Sequence, residues 1–146
     1  MITGSTGAGK TTFGMNLALN YGIDKCISTD TIREVLRTSK PNPKFDHADP
    51  LYRSSYDGDG DPLVQWRECC DILEPSIRHL IQDSINRGVS LILEGVHVLP
   101  SNKYIDLWQT YGGVGIGIVL NIRDEEMHKE VLAYRGRVTR KGADRK

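Results

Sequence analysis

Short, unbroken apolar runs alternate along this chain with stretches whose apolar residues recur every three or four positions. These are the patterns of buried strands and of amphipathic helices. The first run covers only residues 1–3, a strand stub. A helix is expected over 10–20, with Phe13, Leu17 and Ala18 on its inner face and Gly22 as its stop. Residues 25–29 read as a second strand. Ile32, Val35 and Leu36 then give helical spacing over 31–38, with Asp30 or Thr29 as the cap. Residues 39–63 are irregular and hold Pro41, Pro43, Pro50 and Pro62. A loop this long in a compact domain is usually functional or disordered. A helix over 64–87 carries Cys69, Leu73, Ile77, Leu80, Ile81 and Ser84 in one stripe. Pro75 is expected to kink or split it, and Gly88 to end it. An apolar strand over 89–93 leads into Glu94-Gly95. A helix over 101–111 offers Tyr104, Ile105, Leu107 and Trp108 to the core. A fourth strand covers 115–122, and a last helix over 124–134 opens on acidic residues suited to its N-terminal dipole.

Strands alternating with helices predict an α/β fold on a parallel sheet with right-handed crossovers. In such sheets ligands bind at the carboxyl ends of the strands. Composition adds limits. With 146 residues, 38% hydrophobic and 26% charged, the chain suits a single soluble domain spanning 1–146. A formal net charge of zero argues against a general nucleic-acid or membrane-surface binder. No apolar run approaches the ~20 residues of a membrane span. Met1 is followed at once by the strand stub and a glycine-rich loop, so no signal-peptide core is expected and the expected location is cytoplasmic. Cys26, Cys69 and Cys70 form neither a disulfide framework nor a zinc spacing, which fits a reducing compartment.

The chemistry starts at Gly4-Ser5-Thr6-Gly7-Ala8-Gly9-Lys10-Thr11. This fits G-x-x-x-x-G-K-[ST], the phosphate-binding loop of P-loop NTPases. Its glycines let backbone N–H groups turn inward around an anion, and the following helix aims its N-terminus at the same anion. Lys10 is suited to the β- and γ-phosphates of ATP, and the Thr11 hydroxyl to Mg²⁺. Ser5, Thr6, Ala8 and Thr12 complete the expected nucleotide contacts. The strand-end rule gathers Asp30 and Glu94 on the same rim. Asp30 could orient an acceptor hydroxyl and take its proton, and Arg33, one helical turn on, could hold an anionic group of that acceptor. Taken alone, the pair reads as a helix cap with an i,i+3 ion pair. Beside a phosphate loop, function is the better reading. Glu94 ends an apolar strand of the kind that carries a Mg²⁺-linked acid, as direct ligand or through water. His97 follows closely, although a lone histidine is more often packed than catalytic. Arg135, Arg137 and Arg140 could stabilise a moving phosphoryl group, or form a solvated basic tail. Asp57, Asp59, Asp61 and Glu68 imitate a calcium loop, but Pro62 stands where its glycine belongs.

Ile27-Ser28-Thr29-Asp30-Thr31-Ile32-Arg33, Ser54-Ser55-Tyr56 and Leu93-Glu94-Gly95-Val96-His97 together resemble the kinase domain of 2-phosphoglycerate kinase. They also resemble the related plant P-loop kinase-like proteins linked to phytic-acid levels. The resemblance covers the loop to about Arg135. It implies ATP-dependent phosphorylation of the free hydroxyl of 2-phosphoglycerate, giving 2,3-bisphosphoglycerate. With Lys10 already catalytic by the loop motif, it supports Asp30 as the acceptor-side catalytic carboxylate and Arg135 as a catalytic arginine in a lid. Arg33, Ser54, Ser55, Tyr56 and His97 become acceptor contacts, beside Thr11 and Glu94 as the metal's residues from the motif and strand-end readings. It also implies a five-stranded sheet whose central strand leads into the loop. This chain has three residues of that strand and reaches Lys146 before a fifth, so an incomplete kinase domain is expected. Residues 39–63 would be its acceptor-side insertion, and 135–146, with six basic residues against one acidic, its basic lid. The expected partners are ATP and a small phosphorylated acceptor. Near-zero charge and few aromatics disfavour a polynucleotide acceptor. An inositol phosphate is an alternative acceptor, and a non-catalytic nucleotide-binding module is the alternative outside catalysis.

Overall fold

The computed structural model describes residues 1–40, 49–52 and 60–143. Over them the chain runs β1 (Ile2–Gly4), α1 (Lys10–Tyr21), β2 (Lys25–Ser28), α2 (Thr29–Thr38), α3 (Pro62–Arg87), β3 (Leu91–Glu94), α4 (Lys103–Thr110), β4 (Ile118–Leu120) and α5 (Glu125–Ala143). The strands form one all-parallel sheet in the order β2-β3-β1-β4. This is the parallel α/β sheet that the alternation predicts, and it is consistent with the P-loop kinase-like fold that the resemblance implies.

Strand side chains alternate between two faces. Ile2, Cys26 and Ile92 border Gly14 on the α1 side. Ile27, Leu91 and Leu93 turn the other way, into the core built on α3. There Cys69, Leu73, Ile77 and Ile81 meet Leu93, Val98 and Tyr104, with Ile32 and Leu51 at the α2 end. Burying each such aliphatic side chain stabilises the fold by about 1.5–3 kcal/mol. Lys25 joins β2 to α3 through Asp83 at 2.9 Å and Ser84 at 3.3 Å.

Several boundaries differ from the sequence reading, each for a local reason. The inner face of α1 is Lys10, Gly14, Leu17 and Ala18, while Phe13 is 36% exposed. Lys10 must reach the strand ends, and its i+4 neighbour is Gly14, so the helix is rotated away from the face that hydrophobicity alone picks. The cap of α2 is Ser28, whose hydroxyl accepts from the Asp30 N–H at 3.2 Å. Asp30 therefore lies in the first helical turn, with its carboxylate spared from capping. Pro75 neither ends nor divides α3. It sits on the exposed side, where the Asp71 carbonyl it leaves unbonded can meet water. β4 has three residues rather than eight, because its partner β1 offers three: Ile2 pairs with Ile118, Thr3 with Val119 and Gly4 with Leu120. α5 starts on Asp124, whose Oδ1 accepts from the N–H groups of Glu126 and Met127, and runs on through the basic segment to Ala143.

Candidate active site

β1 feeds directly into the glycine-rich loop. At Gly4 the backbone has φ 142°, and a Cβ there would lie 2.1 Å from the Leu120 carbonyl oxygen. Only glycine lets the strand turn into the loop this close to β4. Gly7 and Gly9 follow with φ 86° and 80°, and Gly9 opens α1. Lys10, 8% exposed, donates from Nζ to the Ser5 carbonyl at 2.7 Å, so its ammonium is folded over the loop that precedes it. The Thr11 hydroxyl donates to Glu94 Oε1 at 3.0 Å. Glu94 is the last residue of β3, 2% exposed, and pairs in register with Ile2. The sheet therefore sets the spacing between the loop's hydroxyl and this carboxylate.

Just past Glu94 the chain turns sharply. Gly95 has φ 147° and its N–H donates to the Ile2 carbonyl at 3.0 Å. A Cβ on Gly95 would lie 1.8 Å from Thr29 Oγ1, and Thr29 is fully buried at the start of α2. The close approach of Gly95 and Thr29 brings the β3 end against the α2 end. Trp66 then holds the turn from above, donating from Nε1 to the Val96 carbonyl at 2.7 Å.

These elements enclose a cavity of about 600 Å³. Thr6, Gly7, Gly9, Lys10, Thr11 and Thr12 line one end; Asp30, Arg33, Arg37 and Tyr52 line the other; Glu94 to His97 form the floor between them. Of the residues singled out in the sequence, the loop's ligand-facing members, Asp30, Arg33, Glu94 and His97 thus share one cavity. Gly4, Ser5 and Ala8 shape the loop without lining it: Ser5 holds Lys10, and the Ala8 N–H bonds back to the Ser5 carbonyl at 3.2 Å. Ser54, Ser55 and Tyr56 lie outside the described residues, as do the side chains of Arg135 and Arg140. Arg137 is exposed on α5 and turns back to the Ala133 carbonyl. α5 meets the loop at another point: His128 Nε2 lies 2.7 Å from the Thr6 carbonyl oxygen, and Val131 and Leu132 border Gly7.

His97 is 4% exposed, and its Nδ1 has no hydrogen-bond partner among the described residues. Burial, reinforced by the nearby Arg33 charge, holds its pKa down at about 4, with Asp30 opposing. At neutral pH it is an uncharged imidazole within the cavity floor. No cysteine is among the residues lining the cavity. Burial raises the Cys70 thiol to about 12, and Cys26, pushed up by burial and then by Glu94, lies behind the floor.

Three further residues belong to the site. Arg37 and Tyr52 line its far end, and Trp66 supports its floor. Arg37 was findable, since it lies one further turn from Arg33 on the same helix face. Tyr52 and Trp66 reach the site through tertiary contacts that no local pattern encodes.

The donor set suits a hard cation held partly by phosphates. Thr11 and Glu94 supply a hydroxyl and a carboxylate 3.0 Å apart at the mouth of the loop. Among the described residues no group of three or more His, Cys, Asp or Glu could hold a metal by itself. That combination fits Mg²⁺, which is commonly bound through one or two protein oxygens plus substrate phosphates and water.

No family model matches the chain. Curated proteins do. The 2-phosphoglycerate kinase of Methanocaldococcus jannaschii is 30% identical over 156 aligned residues, covering 99% of this chain and 48% of its own length. That of Methanopyrus kandleri is 31% identical over 151, covering 96% and 44%. That of Pyrococcus furiosus is 33% identical over 112, covering 73% and 37%. The resemblance carried by the motifs thus extends along nearly the whole chain, which spans about half the length of these relatives or less.

Proposed function

We propose that this chain is the phosphoryl-transfer domain of a small-molecule kinase that moves the γ-phosphate of ATP to a hydroxyl of a phosphorylated acceptor. The acceptor we assign is 2-phosphoglycerate, and the product 2,3-bisphosphoglycerate. The observation that carries this reading is the shared cavity: a phosphate loop faces Asp30 and Arg33 across a floor that starts at Glu94.

Each residue then has a physical task. The loop's N–H groups and Lys10 bind the phosphates and draw charge toward the β–γ bridge. Asp30 accepts the proton of the acceptor hydroxyl as the new O–P bond forms and the bond from the γ-phosphorus to the β-bridging oxygen breaks, releasing ADP. Arg33 binds the phosphate that the acceptor already carries. Neutral His97 can donate its one ring N–H to the acceptor's carboxylate. Thr11 and Glu94 would hold Mg²⁺, which when bound neutralises the charge developing between the β- and γ-phosphates. Ser54, Ser55 and Tyr56 on the acceptor side, and Arg135 over the transferring group, complete the assignment by resemblance.

An acceptor screen with ATP and Mg²⁺ tests this, using 2-phosphoglycerate, 3-phosphoglycerate, an inositol phosphate and an oligonucleotide. Turnover is expected with 2-phosphoglycerate, detected as 2,3-bisphosphoglycerate by phosphorus NMR. Asp30→Asn is expected to lower kcat by about 100-fold while nucleotide affinity is retained. Transfer to none of the four acceptors would refute the kinase reading.

A further inference from the structure

Arg37 has no role in the scheme above, yet its surroundings are as organised as those of Arg33. The two arginines lie four residues apart on α2, on one face. Both donate from Nε to the same atom, the carbonyl oxygen of Leu51, at 2.7 Å from Arg33 and 2.6 Å from Arg37. That carbonyl is itself fixed. The Leu51 side chain is 2% exposed in the core, and its N–H donates to Asp49 Oδ1 at 3.0 Å. The Arg37 guanidinium lies over the Tyr52 ring, 5.1 Å from its centroid, and the Tyr52 hydroxyl donates to the Arg37 carbonyl at 3.4 Å. A turn distant in sequence therefore holds two cations side by side, facing the cavity.

We infer that Arg33 and Arg37 act as one clamp for a phosphate monoester on the acceptor, set by the Leu51 carbonyl and the Tyr52 ring. This rests on the phosphoryl-acceptor reading and adds Arg37 to its phosphate-binding residues. Two guanidinium groups drawn to one neutral oxygen repel each other, and an anion between their outer nitrogens relieves that repulsion. The ion pair from Arg37 Nη1 to Glu34 at 2.9 Å does not do so from within the cavity, because the Glu34 side chain is 63% exposed and is screened by solvent. Asp49 is paired with Lys40 and also lies in the field of Arg37. A carboxylate offers two oxygens and matches one guanidinium fork; a tetrahedral phosphate offers enough for two. The positive field reaches the floor, where Arg33 and Arg37 both oppose protonation of His97.

Position adds a second constraint. Asp30 precedes Arg33 by one helical turn, which sets their Cβ atoms about 5–6 Å apart. Asp30, Arg33 and Arg37 line the same cavity, so one small acceptor can meet all three.

Calorimetric titration of the full chain tests this, with MgADP saturating the phosphate loop and 2-phosphoglycerate or glycerate as titrant. Wild type is expected to bind 2-phosphoglycerate. Arg37→Gln is expected to weaken it by about 30-fold, Arg37→Lys by about 10-fold, and glycerate binding should not change in either. Thermal melts accompany each variant, and the lysine variant keeps the charge should the glutamine variant fail to fold. Affinity for 2-phosphoglycerate within threefold of wild type in Arg37→Gln overturns the clamp, as does an equal loss for glycerate or no binding by wild type. Phosphate-selective loss in a protein that transfers nothing would leave the clamp standing and remove the kinase reading. Full turnover with an unchanged acceptor KM in Arg37→Gln would do the reverse.

Discussion

The two ends of the cavity are made of different materials. The phosphate-loop end, which we assign to the nucleotide, is mostly main chain: glycines, N–H groups and one lysine that bonds back to the Ser5 carbonyl five residues before it. The α2 end, which we assign to the acceptor, is mostly side chain: two arginines on α2, a carbonyl and a ring from the 49–52 turn, and an indole from α3 that fixes the floor. A main-chain site depends on local geometry and tolerates little variation in its glycines. A side-chain site depends on packing between distant segments, and each contact can be changed singly. Anions common to all nucleotides suit the first design, and a particular acceptor suits the second.

The sharpest way to break this contrast is at the nucleotide end. Lys10→Ala removes the charge at the centre of the loop and is expected to lower turnover by about 1,000-fold or more, with nucleotide binding lost or much weakened. Retained turnover in steady-state assays would remove the loop from the chemistry. Next is the junction of the two ends. Gly95→Ala forces a Cβ against Thr29 at a φ that L-residues rarely adopt, and a loss of about 3 kcal/mol is expected in urea denaturation. Adding Thr29→Ala should recover part of it, since the nearest clash is with the threonine side chain. If the single variant is as stable as wild type, the close approach is not a constraint.

His97 gives a pH signature. Its folded pKa of about 4 lies below the ordinary 6.5, so the unfolded chain takes up the proton first. Stability from this group is full above about pH 6.5 and falls as pH drops toward 4. Between pH 7.5 and 5 the loss is about 2 kcal/mol, and His97→Gln should flatten that part of the profile. Parallel curves for the two proteins would show that the imidazole is not held neutral by burial. The smallest effect belongs to Trp66→Phe. It deletes one hydrogen bond to the Val96 carbonyl and is expected to raise the acceptor KM by about fivefold, with the KM for ATP unchanged. An equal rise in both would mean that the floor serves the whole cavity rather than its acceptor end.

The same contrast explains what the sequence could disclose. The loop is contiguous, so eight residues announce it, and the strand-end rule then places Asp30 and Glu94 beside it. The α3 stripe is legible because it repeats at helical spacing, and Leu73 and Ile77 are fully buried as that spacing requires. Phe13 faces outward because Lys10 must face the site, a demand that hydrophobicity alone does not register. Tyr52 and Trp66 were invisible because their roles depend on which segments fold onto which. Arg37 stood in plain view, one turn beyond Arg33, and lacked only the turn that orients it.

Pro75 has a consequence for cooperativity. The N-terminal part of α3 carries Trp66, which steadies the cavity floor, and its C-terminal part carries Asp83 and Ser84, which anchor β2. Between them the missing Pro75 N–H interrupts the ladder of hydrogen bonds on the outer side of the helix. The two parts can then open with different free energies although they form one rod. Native-state hydrogen exchange along α3 would show this as a step at Pro75, with ligand-induced protection confined to the part that bears Trp66.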